Sequence, residues 1–287
     1  MANQAQREKA EAFRRMHDRS RILVLPNAWD AASARIFENA GFSAVATTSA
    51  GVSYTAGYPD GEVIPPEDML TILRWITRCV EIPVTADIES GFGTTPHEVG
   101  ETVRMVIEAG AVGINLEDSI HAAGVERRLY DLPAAVERIR AARAAAEAAG
   151  VPIVINGRTD VYLMGIEKAS RFDEAVRRLN AYREAGADCL YPIGYLDRET
   201  ISAIVKAVDG PINVMGIPGT PSAAELESMR VARVSTASGP ARVAMTATQK
   251  LASELARKGS FDVFGGDTMT HQVANALIAR RDASTGR

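Results

Sequence analysis

Cysteine is almost missing from this chain. Cys79 and Cys189 are its only two in 287 residues, far apart and each in an apolar context. They cannot build a disulfide framework, and no CxxC or Cys/His spacing suggests a zinc site. That usage fits a reducing compartment, and a cytoplasmic location is expected. Long hydrophobic runs are absent too: no segment approaches the roughly 20 apolar residues of a membrane span. The first residues, MANQAQREKAEAFRRMHD, are charged and helical in pattern, without the apolar core of a signal peptide. Nor does charge of one sign dominate. The 32 Lys and Arg nearly balance 36 Asp and Glu, giving a formal net charge of -4. This balance argues against a nucleic-acid or anionic-membrane partner, either of which would want a basic stripe. The paired arginines Arg127-Arg128 and Arg177-Arg178 sit among acids and read as solvated faces. A small-molecule ligand is the expected partner.

What the chain does have is a rhythm. A charged N-terminal helix (1–20) leads into short apolar runs at 22–26, 44–48, 82–87, 112–118, 152–157, 188–193, 211–215 and 230–235. Each is apolar at nearly every position, as suits a parallel strand buried on both faces. Between them lie amphipathic patterns such as PPEDMLTILRWITRCV and PHEVGETVRMVIEAGA, with apolar residues at three- and four-residue spacing. The turns EAGAVG, EAAGVP and EAGADC place Gly just after a helix, where a left-handed C-cap is wanted. Eight strands alternating with helices predict an α/β fold, one (β/α)8 TIM barrel over 21–258 within a single domain spanning 1–287. A doubly wound sheet fits less well, because the first turn, PNAWDAAS, has no GxGxxG. Residues 259–287 add a C-terminal helical extension whose apolar side needs a cover, and a neighbouring subunit would supply it. A homo-oligomer is therefore expected.

In such barrels, chemistry gathers at the C-terminal strand ends. Acids cluster there on the third and fourth strands: Asp87 and Glu89 in TADIESGFG, and Glu117 in NLED. Converging carboxylates repel one another unless a cation joins them, and an oxygen-only donor set favours Mg²⁺, or Mn²⁺, over zinc. The alternative is strand-end acids that cap the following helices. Arg158, in INGRTD, is either a surface partner of Asp160 or a fork for a carboxylate or phosphoryl group. Small residues at Thr48-Ser49-Ala50 would let backbone N–H groups approach an anion, or would simply make a tight turn. Of the four histidines only His121 falls in a candidate site loop.

These motifs, in this order, resemble the isocitrate lyase/phosphoenolpyruvate mutase superfamily over nearly the whole chain, from PNAWDAASAR through TTSAGV, YPD, DIESGFG, NLED, GRTD and PINVM to SGPAR. The resemblance implies that Asp87 ligands Mg²⁺ directly, with Glu89 and Glu117 acting through metal-bound water. It implies that Thr48, Ser49 and Ala50 hold a substrate carboxylate, that Asp60 lies near the metal, that Trp29 lines the pocket, and that Arg158 meets the reacting end. It further implies a last helix exchanged with a neighbour in a dimer of dimers. The departures bear on the reaction. The loop after NLED reads SIHAAGVERRLYD, without the Lys and Cys of the lyase loop's Lys-Lys/Arg-Cys-Gly-His motif and without the mutases' Lys and Asn. The sixth strand ends in Ile193 where lyases carry Glu and mutases His, and the seventh carries Met215, with Asn213 one inward-facing step earlier as a substrate-binding candidate.

The metal half of the pocket is kept, and the electrophile half is rewritten. The expectation is a Mg²⁺-dependent lyase or decarboxylase that cleaves a C–C bond in a small 2-oxo or 2-hydroxy (di)carboxylic acid through a pyruvate-like enolate. Arg158, Glu117, His121 and Arg127 are its candidate catalytic residues, with Glu126 and Arg128 as further ionisable groups of the loop. Three alternatives stand beside it: phosphoenolpyruvate mutase- or phosphonopyruvate hydrolase-type P–C chemistry; hydroxymethyl transfer as in ketopantoate hydroxymethyltransferase, which would want a wider cleft and other motifs; and a non-catalytic 2-oxo-acid-binding protein.

Overall fold

The computed structural model describes residues 4–121, 128–164 and 166–279. Eight parallel strand positions form a ring: β1 (Leu23–Leu25, resuming at Asn27–Ala28), β2 (Val45–Thr47), β3 (Val84–Asp87), β4 (Gly113–Glu117), β5 (Val154–Thr159), β6 (Cys189–Pro192), β7 (Asn213–Met215) and β8 (Arg233–Ser235). The first strand is split by Pro26, which has no N–H to give to a ladder. Its early part pairs with β8 and its later part with β2. Between β6 and β7 a single parallel bridge, Leu190 to Ile212, closes the circuit.

The predicted glycine caps are present: Gly110, Gly150 and Gly186 have φ of +95°, +66° and +109°. Helix starts follow local chemistry as well. Thr95 with Glu98, and Ser222 with Glu225, form reciprocal capping boxes. The N-terminal helix, Gln4–Arg15, covers the end of the barrel opposite the strand termini. Its Phe13 is fully buried against Gly113, where a Cβ would come within 2.8 Å of the ring. Gln6 and Arg14 tie the helix down by donating to the carbonyls of Ile107, Ala111 and Ile153.

The C-terminal helices pack differently. In helix Gly239–Lys258 only Ala241 is buried, while Val243 is 71% exposed and Met245 is exposed as well. The following helix, His271–Ile278, buries none of its residues. Among the described residues no helix is long and apolar enough to cross a membrane.

Candidate active site

Parallel register builds the mouth of the barrel. Asp87 pairs with Asn115, Glu117 with Arg158, and Arg158 with Tyr191, so residues far apart in sequence line one inner wall. Asp87 accepts from the Ser49 backbone N–H (3.1 Å) and from Asn115 Nδ2 (2.9 Å). Its own N–H donates to Thr47 Oγ1, and Asn156 in turn donates to Asn115 Oδ1. These bonds aim the carboxylate at the mouth, at the start of helix Ser49–Thr55. Thr48, Ser49 and Ala50 form that start. Gly51 is required there, because a Cβ would lie 2.7 Å from both Thr48 Cγ2 and Trp29 Cβ.

After β3 the chain turns sharply. Glu89 and Phe92 take left-handed conformations, φ +49° and +52°, which cost a non-glycine residue roughly 1 kcal/mol or more each. The turn drives Glu89 inward until it is 2% exposed. One carboxylate oxygen accepts from the Glu62 N–H, and the other, Oε1, has no partner. Burial, then the charges of Asp60 and Glu117, push this carboxyl up to about 9. Asp60 is exposed as a residue, yet burial of its carboxyl and the nearby Asp87 charge push it upward too. Glu62, which the motif reading passed over, latches the Asp60 loop to this turn. Its carboxylate accepts from Ser90 N, Ser90 Oγ and Phe92 N.

Glu117 joins the acids from β4. Burial raises it, while Arg158 at 2.6 Å and His121 at 2.7 Å pull the other way. His121 also stands 3.9 Å from Glu89. Arg158 does pair with Asp160, but in the buried mouth rather than on the surface. Its Nε and Nη2 grip Asp160 at 2.6 and 2.8 Å, and its Nη1 reaches Glu117. Burial opposes its charge, but the two carboxylates hold it firmly protonated.

Behind it lies a second buried set that the sequence did not announce. Asp118 accepts from Thr159, Tyr182, Arg178 and the Asp160 N–H. Arg178 therefore corrects the reading of Arg177-Arg178 as one solvated face: Arg177 is exposed, whereas Arg178 is buried against Asp118. No linear signal separates the two except helical phase.

The other side of the mouth is apolar. Ile193 and Ala237 line it, above Tyr191 and Ser235. Asn213 sits a step lower, donating its amide to Ser235 Oγ. In the loop after β4, Ser119–Ile120 pairs antiparallel with Arg128–Leu129. Arg128 is exposed on that stem, and Glu126 and Arg127 lie outside the described residues.

Asp87, Glu89, Glu117 and Asp60 thus bring oxygen donors to one corner. Among the described residues, no three such side chains already converge as ligands on one point. The carboxylates of Asp87 and Glu117 are turned onto protein donors. The donor chemistry still fits a hard divalent cation. Acids pushed upward by one another, and a buried oxygen without a partner, mark a place short of positive charge.

Comparison with known proteins identifies the family. The phosphoenolpyruvate phosphomutase family model matches residues 13–256. The chain belongs to the isocitrate lyase/phosphoenolpyruvate mutase superfamily. It is 32% identical to 2-methylisocitrate lyase of Escherichia coli (strain K12), over 77% of this chain and 76% of that protein. A solved structure from Burkholderia cenocepacia J2315, provisionally named a lyase/mutase, is 40% identical, covers 98% of this chain and 99% of its own, and superposes with a TM-score of 0.89. A phosphonopyruvate hydrolase, solved with oxalate and Mg²⁺, is 26% identical over 94% of each chain, with a TM-score of 0.83. Relatives in this superfamily thus work on both C–C and P–C bonds.

Proposed function

We propose that this superfamily member is a Mg²⁺-dependent lyase or decarboxylase that cleaves a C–C bond in a small 2-oxo or 2-hydroxy (di)carboxylic acid through a pyruvate-like enolate. The observation that carries the reading is the pairing of an acid corner with one buried cation, Arg158, across a mouth whose far wall is apolar. Asp87, Glu89 and Glu117 would hold Mg²⁺, with Mn²⁺ as a substitute. The metal would supply Lewis-acid stabilisation of the charge that develops on the substrate's carbonyl oxygen.

The chain's own groups do the rest. The Thr48–Ala50 turn receives a substrate carboxylate at the start of helix Ser49–Thr55, where the Thr48 N–H is held by the Ala28 carbonyl and the Ser49 N–H now donates to Asp87. Trp29 and Asp60 bound the pocket at the rim, and Asn213 supports its floor from below. Arg158 presents fixed positive charge to the developing enolate and needs no reorganisation, because Asp160 already fixes its plane. His121, in hydrogen-bond contact with Glu117, is placed to move a proton at the reacting carbon, with Arg127 as a further loop candidate. Ile193 and Ala237 keep water from the bond that breaks.

The P–C reading, supported by the likeness to phosphonopyruvate hydrolase, stands second. A phosphonyl group wants several open cationic donors, and two of the nitrogens of Arg158 are already committed to Asp160. A non-catalytic 2-oxo-acid-binding role would keep the same site without turnover. The bare apolar side of helix Gly239–Lys258 supports a homo-oligomer, with a dimer of dimers as the proposed assembly.

Oxalate, which mimics the pyruvate enolate, tests the reading. Titrated calorimetrically into metal-stripped protein, it should bind only when Mg²⁺ is added, and Asp87→Ala should abolish that binding. Equal binding without metal would overturn the proposal. Pyruvate-type product release in a substrate screen would then separate a lyase from a binding protein.

A further inference from the structure

Two buried arginines line the candidate pocket, and only one of them is paired. Arg158 is gripped by Asp160 and Glu117. Arg233, on β8, is 2% exposed, and its Nε and Nη1 have no hydrogen-bond partner. It forms no ion pair among the described residues. A guanidinium keeps its proton even when buried, so the charge persists. Such a group is costly without a counter-charge, and in folded proteins it is nearly always paired.

The groups in its field do not supply the missing charge. Burial pushes the Cys189 thiol up to about 11 and the Tyr191 phenol up to about 12, so both stay neutral. His17 is pushed down to about 3, by burial first and then by Arg233 itself, so it is neutral as well. Asp87 is the carboxylate that acts on Arg233, and it lines the same pocket. Its oxygens nevertheless accept from the Ser49 N–H and Asn115 Nδ2, not from the guanidinium. Asp87 is also the residue proposed to ligand Mg²⁺ directly. Arg233 and a bound Mg²⁺ would therefore share one carboxylate and repel each other in a buried pocket, where water screens little. An anionic ligand in that pocket reverses the sign, because Arg233 attracts it.

We propose that Arg233 couples metal binding to substrate binding: its unpaired charge weakens the hold of the empty pocket on Mg²⁺ and strengthens its hold on a doubly negative ligand. The inference rests on the Mg²⁺-dependent enolate reading and adds a residue to it. Arg233 is a positioning residue that acts through its field, with no proton moved and no bond made to the reacting carbon. Metal and dianion then enter as a pair, each removing the obstacle to the other. A dianion is favoured over a neutral or singly charged 2-oxo compound, because only equal and opposite charge cancels that of Mg²⁺.

Calorimetric titrations of the metal-stripped full chain, at constant pH and ionic strength, test it with Arg233→Met and Arg233→Lys beside the wild type. Mg²⁺ alone should bind the Met variant about tenfold more tightly than the wild type. Oxalate should bind the Mg²⁺-saturated Met variant about tenfold more weakly. The two shifts oppose each other, so the product of the two association constants should change little. Arg233→Lys keeps the charge and should return both constants toward the wild type. A merely structural role would weaken both steps together, and that result would overturn the proposal. So would a Met variant with both constants unchanged, or a Lys variant that behaves like Met. Should Arg233→Met not fold, Arg233→Gln removes the same charge and carries the same expectation. A wild type without Mg²⁺-dependent oxalate binding would strike the enolate reading, and this inference with it. Mg²⁺-dependent binding in the wild type with unaltered constants in the neutral variant would strike this inference alone.

Discussion

The two sides of the barrel mouth are built on opposite principles. On β3 and β4, with the neighbouring Arg158 of β5, charge is concentrated and almost every polar atom is spoken for. Just past the ends of β6 and β8, Ile193 and Ala237 offer only shape, above the polar side chains of Tyr191, Arg233 and Ser235. The charged side has its stability tied to ionisation, since removing one partner strands another buried charge. The apolar side has its stability tied to volume, and can be altered without touching any proton. That difference explains how one barrel can keep a charge-stabilising half while its other half is re-cut for a different bond.

Substitutions can break that contrast or sharpen it. The largest effect is expected from Arg158→Met, which leaves Glu117 and Asp160 buried without their cation. Denaturant unfolding should show a loss of about 3–5 kcal/mol, and metal-dependent oxalate binding should fall with it. Unchanged stability would mean that the buried pairing carries no weight.

Next comes Glu89→Gln in the metal-free protein. The folded-state carboxyl titrates near 9, far above its value in an unfolded chain. Between those two values the native state holds a proton that the unfolded state has released, so rising pH through this window costs stability. The variant removes that cost. Its unfolding free energy at pH 8 should exceed the wild type's by on the order of 2 kcal/mol, with the gain vanishing near pH 4. A gain independent of pH would point to packing instead.

Ile193→Val should cost only about 1 kcal/mol, independent of pH, as a buried methylene does. It should shift substrate preference more than metal affinity, and equal damage to metal binding would erase the distinction between the halves. The smallest effect belongs to Arg177→Ala on the solvent face, within about 0.5 kcal/mol by thermal unfolding. Arg178→Ala one residue later should cost several times more, because it strands Asp118.

The fold is largely legible in the sequence alone. Short apolar runs, helical spacing and glycine punctuation carried the barrel, since these are local properties that survive in a linear string. The acid corner was legible as well, because strand ends are marked by the turns that follow them. Other features were hidden. Only helical phase told Arg178 from Arg177, and nothing local revealed that Arg158 grips Asp160 and Glu117 together. The latch by which Glu62 holds Ser90 and Phe92 spans about thirty residues of chain and leaves no motif.

By itself, then, the sequence determined which residue types stand at which strand end, and so the chemistry available to the mouth. Tertiary structure decided how those charges are shared. Parallel register set Glu117 beside Arg158, and ring closure brought Arg233 into the same pocket as Asp87, with its Nε and Nη1 unpaired. The physical reason is that burial and charge pairing depend on neighbours contributed by other strands. A charged residue in a linear sequence carries no record of which partner, if any, will meet it once water is gone.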